Sequence, residues 1–220
     1  MIRKIFLLIL LCITPLHALV TVKVFTGSEI QPFEHLIKQY RQSEFSQYPY
    51  LMNQGDEIEI FYAKAYTNAS TGALAVAYVD GKVAGFLTGI ALSEWDAIWL
   101  PFGCEQMSEK LEYIIDTATN YYFGDAIVFA QYRGQRIVDQ LFAALEQYAY
   151  YRGFKSISLV SMVRANHPLK PVNYQSPSKV WRRLGYRNSN TVVTYEWPTR
   201  QADDPTTFKL EPNPCDIWVK

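Results

Sequence analysis

The chain has 220 residues, of which 49% are apolar, 19% charged and 15% aromatic. That is material for one domain with a sizeable core plus a short appended segment, and it excludes a disordered, coiled-coil or collagen-like chain. Lys+Arg and Asp+Glu both number 21, so no cationic excess drives binding to a phosphate backbone by counterion release, and nucleic acid is not an expected partner.

At the N-terminus, Arg3-Lys4 precedes the apolar run 5–13, followed by Pro15 and Leu16-His17-Ala18. A basic start, a short apolar stretch and a small residue before the cut make a secretory signal peptide of residues 1–18. The run is well short of the roughly 20 apolar residues a spanning helix needs. A domain at 19–220 is then exported to the periplasm or the medium. Read instead as an uncleaved anchor, the segment is the one membrane contact; read as the first element of the domain, it leaves the protein in the cytoplasm. Without Arg3 and Lys4 the remaining chain carries 19 basic and 21 acidic residues. Cys12 leaves with the segment. Cys104 and Cys215 remain, either as a disulfide in an oxidising compartment or as two free buried thiols. Neither has the spacing of a metal site, and no metal is expected.

Residues 20–25 alternate apolar and polar positions and reach Thr26-Gly27-Ser28, a strand turning into a helix whose Phe33, Leu36, Ile37 and Tyr40 share a face. Residues 58–66 read as a second helix, with a strand as the alternative because of their β-branched and aromatic content. Residues 73–79 and 82–90 flank Asp80-Gly81, a pair suited to a type I′ turn, so this is a β-hairpin. Periodicity breaks down over 93–101, expected as a loop, and returns over 107–118 as a helix with Leu111, Ile114, Ile115 and Ala118 on one face. A strand over 121–129, a helix over 137–152 ended by Gly153, and a strand over 155–163 follow. After the loop 166–175 comes a short helix with Ser176 as N-cap, Pro177 at its first position and Gly185 beyond its end. Strands over 191–197 and 215–220 close the chain.

The informative junction is Gln131-Tyr132-Arg133-Gly134-Gln135-Arg136-Ile137, a short loop between a strand and an amphipathic helix. Such a loop offers successive backbone N–H groups and a helix N-terminus to a phosphate or pyrophosphate, and Arg133 and Arg136 can add charge-assisted bonds. The plain alternative is a βα loop with two solvated arginines. No Gly-Lys-Ser/Thr follows, so this is not a Walker loop.

Gln131-x-x-Gly134-x-Arg136 between a strand and a helix resembles the acyl-CoA pyrophosphate loop of the GNAT N-acetyltransferases, with Arg136 where the family favours a small residue. The order of elements agrees over about residues 20 to 197. The stretches 45–51, 163–171 and Val180-Trp181-Arg182-Arg183-Leu184-Gly185-Tyr186 resemble a bacterial subgroup of that family. The resemblance implies an α/β (α+β) fold with a mixed, mostly antiparallel central sheet flanked by helices, whose fourth and fifth strands splay apart. It implies acetyl-CoA as co-substrate, with Ile127, Val128 and Phe129 offering main-chain groups to the pantetheine arm and residues from Gln131 to Ile137 (Tyr132, Arg133, Gly134, Gln135 and Arg136 among them) holding the pyrophosphate. The reaction implied is direct transfer of an acetyl group to an amine, on a small molecule or a peptide, with a base for the amine and an acid for the thiolate.

Where many members carry the acid tyrosine, this chain has Trp181, whose indole cannot serve; Tyr174 is the nearest hydroxyl. Asp125 and His167 are the candidate bases, each with a structural alternative: a loop hydrogen bond for Asp125 and a turn before Pro168 for His167. Glu94 is a further carboxylate that could face the amine. The long stretch 92–120, with Trp95, Trp99, Pro101 and Phe102, is expected to cover the acceptor site or to pack on the sheet. An exported GNAT fold that binds without catalysis is the competing function, and an exported enzyme that meets acetyl-CoA in another cell is a third.

Overall fold

The computed structural model describes residues 19–220; the expected export signal, residues 1–18, lies outside the described residues. Seven strands form one sheet in the order β1-β2-β3-β4-β5-β7-β6, where β1 is Val20–Thr26, β2 Ala73–Val79, β3 Lys82–Ala91, β4 Asn120–Val128, β5 Ser156–Met162, β6 Arg187–Arg200 and β7 Phe208–Val219. Every pair is antiparallel except β4 with β5.

One face of the sheet buries α1 (Glu34–Phe45), α2 (Asp56–Asn68), α3 (Leu92–Trp99) and α4 (Met107–Leu111) through Ile37, Tyr62, Tyr66, Trp95 and Leu111. The other buries α5 (Ile137–Tyr151) and the side of α6 (Ser178–Arg183) that bears Trp181. Strand β2 lies between both layers and is buried at every position but Tyr78, which is why Ala-Leu-Ala-Val-Ala reads as an unbroken apolar run. Its alanines at 73, 75 and 77 face α5 and let that helix approach closely. Asp80 and Gly81 both have positive φ, 49° and 77°, as a type I′ hairpin requires.

Four sequence expectations are corrected. Residues 93–101 are not a loop: α3 occupies most of them. Its inward stripe is Leu92, Trp95, Asp96 and Trp99, and the buried Asp96 hides the apolar period. The Asp96 carboxylate accepts from the N–H groups of Met107 and Ser108 at 3.1 and 2.8 Å and so caps α4. The helix expected over 107–118 stops at Leu111, because Asp116 draws Ala118 N–H and the Thr119 hydroxyl into a local turn. The final strands are longer than expected. Pro198, Pro212 and Pro214 sit within them without breaking the ladder, since β6 is an edge strand and β5 covers only Cys215–Val219 of β7. Helix α6 starts two residues after Ser176, whose hydroxyl accepts from Ser178 N–H at 3.3 Å. Cys104 and Cys215 are both free thiols, and Cys215 is buried against Met162.

Candidate active site

Strands β4 and β5 pair only from Asn120–Ser156 to Phe123–Leu159. Asn120 pins them there, donating to Ser156 Oγ at 3.0 Å and accepting from Ser158 Oγ at 2.6 Å. Beyond Phe123 the strands part. On the other side of β4, Thr88 of β3 faces two residues, Gly124 and Asp125, so β4 carries a bulge. Thr88 Oγ1 accepts from Asp125 N–H at 2.8 Å. A Cβ on Gly124 would strike Tyr66 Oη and come within 2.7 Å of Thr88 Oγ1. Gly124→Ala is therefore expected to destabilise the protein by about 1–3 kcal/mol, read as a lower denaturation midpoint at unchanged slope.

The parting opens a cleft of about 900 Å³, lined by Gly124 to Val128 of β4, by Leu159 and Val160, by Pro177 and Trp181, and by the end of α1 with residues 47–50. Its far end is the turn after β4. Gly134 and Arg136 there have φ of 82° and 57°, and no hydrogen bond occupies the N–H groups of Gly134, Gln135 or Arg136 among the described residues. Alternating left-handed residues with free N–H groups at the start of a 15-residue helix make an anion cradle. The arginines leave that cradle open. Arg133 turns back, donating to Val128 O at 3.1 Å and to Glu44 at 2.7 Å. The Arg136 side chain is 75% exposed and faces Asp139 at 3.5 Å.

Of the residues expected to hold the donor, Ile127, Val128, Tyr132, Arg133, Gly134, Arg136 and Ile137 line this cleft, whereas Phe129, Gln131 and Gln135 do not. Phe129 is stacked on Tyr40 at 3.6 Å under the sheet, its N–H bonded to Ala84 O. Trp181 lines the cleft with its Nε1–H buried and unpartnered.

A smaller chamber of about 130 Å³ adjoins the cleft. Phe45, Tyr50, Gly124, Asp125 and Val160 border both, so the two cavities meet at the β4 bulge. Beneath this junction lies a buried charge cluster. Arg41 of α1 grips both oxygens of Asp125, at 2.8 and 2.7 Å, and donates from Nε to Glu59 of α2 at 2.7 Å. Its guanidinium lies 3.3 Å from the Tyr62 ring centroid, a cation–π contact. Burial works against the charge on Arg41, but Asp125, Tyr62 and Glu59 outweigh it and raise the pKa of the guanidinium. Burial pushes the Glu59 carboxyl up, against the pull of Arg41.

Asp125 is thus at the junction, while the other two expected proton carriers are elsewhere. His167 lies outside both cavities, its Nδ1 accepting from Leu169 N–H at 3.2 Å in the turn after β5; burial, and then Arg164, lower its pKa. Tyr174 packs edge-on against Tyr48, ring centroids 4.6 Å apart, in a surface pocket that shares Tyr48, Pro49 and Ser176 with the cleft but does not reach the junction. Glu94 is tied to Thr71, accepting from its N–H at 3.1 Å and its hydroxyl at 2.6 Å. Of the expected cover, Trp95 and Trp99 form chamber wall.

Sequence reasoning missed Arg41 and Tyr50. Arg41 stands four residues after Ile37 on the inward stripe of α1, a charged residue where an apolar one is expected. Tyr50 lines both cavities, and its hydroxyl has no hydrogen-bond partner among the described residues. Trp197 Nε1 donates to the Tyr50 carbonyl at 3.1 Å and fixes the segment. Burial raises the pKa of the Tyr50 hydroxyl. Among the described residues no cluster of His, Cys, Asp or Glu could hold a metal ion, and no helix is long and apolar enough to cross a membrane.

Comparison with known proteins places this geometry. The family model described as the acetyltransferase (GNAT) family matches residues 32–172. The fold is similar to an aminoglycoside 6'-N-acetyltransferase complexed with coenzyme A, at a TM-score of 0.54 and 14% identity over 90% of this chain and 96% of the other. It is similar to the aminoglycoside 6'-N-acetyltransferase from Enterococcus faecium, at 0.54 and 12% over 91% and 96%. An N-acetyltransferase from Staphylococcus aureus Mu50 gives 0.52 and 14% over 91% and 98%. No curated protein matches the chain in sequence. The family match spans the first helix, the parted strands and the anion-binding turn together, and the chain accordingly belongs to the GNAT acetyltransferase family of acyltransferases.

Proposed function

We propose that the protein transfers an acetyl group from acetyl-CoA, held in the cleft, to the amine of a small molecule seated in the chamber. The observation that carries this reading is the meeting of cleft and chamber at Gly124 and Asp125, which brings a donor and an acceptor together without covalent help from the enzyme. The N–H groups of residues 134–137 hold the pyrophosphate, and the free edge of β4 beyond Phe123 receives the amides of the pantetheine arm. Trp181 lines the cleft, and its indole has no proton to transfer.

At the junction, Asp125 and Tyr50 are the titratable groups that border both cavities. The two carboxylate oxygens of Asp125 offer about four lone-pair sites in all, so beyond the bonds from Arg41 they can orient the amine and take up its proton. The amine nitrogen bonds to the thioester carbonyl carbon, the C–S bond breaks, and the Tyr50 hydroxyl gives its proton to the sulfur. Arg41 engages both oxygens of Asp125, so the acceptor enters the reaction as its free amine, and kcat/KM rises with pH towards the pKa of that amine.

Calorimetric titration of the full chain with acetyl-CoA tests the donor site. Wild type is expected to bind, and Gly134→Val to bind about tenfold more weakly or worse, because a β-branched residue at φ 82° costs roughly 1–3 kcal/mol and deforms the cradle. Unchanged affinity in the variant would move the pyrophosphate to another loop; no heat from wild type at millimolar ligand would remove acetyl-CoA from the reading.

A further inference from the structure

We infer that Thr88, backed by the hydroxyl of Tyr66, is a positioning residue: it holds the β4 bulge that turns Asp125 into the junction of the two cavities. The inference rests on the proposed role of Asp125 for its effect on turnover, and on the strand geometry for the placement itself.

Side-chain parity along β4 shows what the bulge does. Tyr121 and Phe123 pack on the α5 face of the sheet, and Tyr122 on the face covered by α1 and α2. Gly124 continues the alternation, since a Cβ there would point at Tyr66 of α2. By strict alternation Asp125 would return to the α5 face. It meets Arg41 of α1 instead, and Ala126, Ile127 and Val128 resume the pattern from the α5 face. The bulge thus sets two successive residues on the α1–α2 side. A regular β4 would send the Asp125 carboxylate to the opposite face, away from Arg41 and the chamber.

A bulge leaves one residue of the longer strand without a ladder partner. Here Leu87 is opposite Ala126 and Gly89 opposite Phe123, and the Asp125 N–H is taken by the Thr88 side chain at 2.8 Å. Thr88 is the one hydroxyl-bearing residue of β3. It is fully buried, on a face it shares with Phe86 and Ile90. Its hydroxyl also hydrogen-bonds Tyr66, whose Oη lies 2.9 Å from Tyr62 Oη. Gly124 leaves room for this row of oxygens: a Cβ would strike Tyr66 Oη and crowd the other two. Hydroxyls from β3 and α2 therefore stand where an apolar core would leave the extra N–H of the bulge unsatisfied.

Two substitutions separate positioning from packing. Valine at 88 keeps the shape of threonine but buries the Asp125 N–H without an acceptor; serine keeps the hydroxyl and loses the methyl contact. Packing alone ranks valine above serine, whereas positioning ranks serine above valine.

CoA release by the full chain is followed with acetyl-CoA and, separately, phenylethylamine, spermidine and kanamycin A, and the fastest of the three amines serves for the variants. Thr88→Val is expected to lower kcat about 10²-fold, as a shift of about 1 Å in a reacting group does. Its KM for acetyl-CoA changes less than about threefold, because the cradle is untouched. Thr88→Ser is expected to keep kcat within about threefold of wild type. Should Thr88→Val fail to fold, Tyr66→Phe withdraws the support from Thr88 and is expected to lower kcat about tenfold; an undiminished kcat there overturns the inference. Amide exchange followed by NMR needs no amine. In Thr88→Val the Asp125 N–H is expected to exchange at least about tenfold faster than in wild type, measured relative to Tyr121, Tyr122 and Phe123 in the part of β4 paired with β5. Equal kcat for the valine and serine variants, or an Asp125 amide unmoved by Thr88→Val, overturns the inference. Failure of wild type to bind acetyl-CoA overturns the transfer reaction instead, and the exchange ratio still decides the placement of Asp125.

Discussion

Replacing Arg41 by methionine is expected to cost about 3–5 kcal/mol of stability, the range for removing one partner of a buried ion pair. The reason is the imbalance it leaves. Arg41, Glu59 and Asp125 are 4%, 1% and 5% exposed, and the guanidinium supplies every hydrogen bond their side chains make to one another. Without it, two carboxylates remain in a water-poor site beside the Tyr62 ring. For a chain of this size each kcal/mol moves the thermal midpoint by about 2–4 °C, so the melting temperature falls by roughly 6–20 °C.

The effect depends on pH in a definite direction. Burial already pushes the Glu59 carboxyl up, and in the variant the opposing pull of Arg41 is gone, so its folded pKa lies above the unfolded one. Its favourable contribution is present below the unfolded carboxylate pKa and is lost as pH rises through the folded value. The gap to wild type is therefore widest at neutral and alkaline pH and narrows towards pH of about 4. Replacing all three residues by neutral side chains of similar volume is expected to recover most of the loss, as the penalty belongs to the unpaired charges. Urea unfolding at two pH values measures this. A loss below about 1 kcal/mol at neutral pH would place the Arg41 pair among ion pairs of the solvent-exposed kind.

That cluster also marks the limit of what the sequence alone reveals. Local features were legible. The apolar runs of β2 and β3 on either side of Asp80-Gly81 specify a hairpin, because both turn positions adopt positive φ. Gly134 between a strand and an amphipathic helix specifies the anion cradle, since both come from one short stretch of chain. The charge cluster is different: Arg41 meets Glu59 across 18 positions and Asp125 across 84, and nothing near any of the three announces the others. Helix α3 escaped for a related reason, as its inward Asp96 looks polar until α4 arrives to be capped. The prolines of β6 and β7 are permitted only by the places those strands take in the sheet. Tyr50 belongs to a segment whose resemblance to the family was visible, but its position between two cavities arises from the parting of β4 and β5, which is a property of the assembled sheet.

Replacing Tyr50 by phenylalanine is expected to lower kcat about 10²-fold or more, the lower end of what a positioned acid contributes, with acetyl-CoA affinity nearly unchanged. The ring remains, so its contacts with Phe45 and Trp197, at centroid distances of 4.4 and 6.4 Å, and the bond from Trp197 to the Tyr50 carbonyl all survive. Only the hydroxyl is lost, and with it the proton for the departing sulfur. A loss confined to kcat, with KM for the amine little altered, is the signature of a group that acts in the transition state. The pH dependence sharpens the test. Burial raises the Tyr50 pKa above the ordinary tyrosine value, so the acid stays protonated throughout the range in which the acceptor ammonium loses its proton. The wild-type profile of kcat/KM then rises with pH and shows no descending limb near the ordinary tyrosine pKa of about 10. A descending limb there, or a kcat for Tyr50→Phe within about threefold of wild type, would assign the proton to water or to another group.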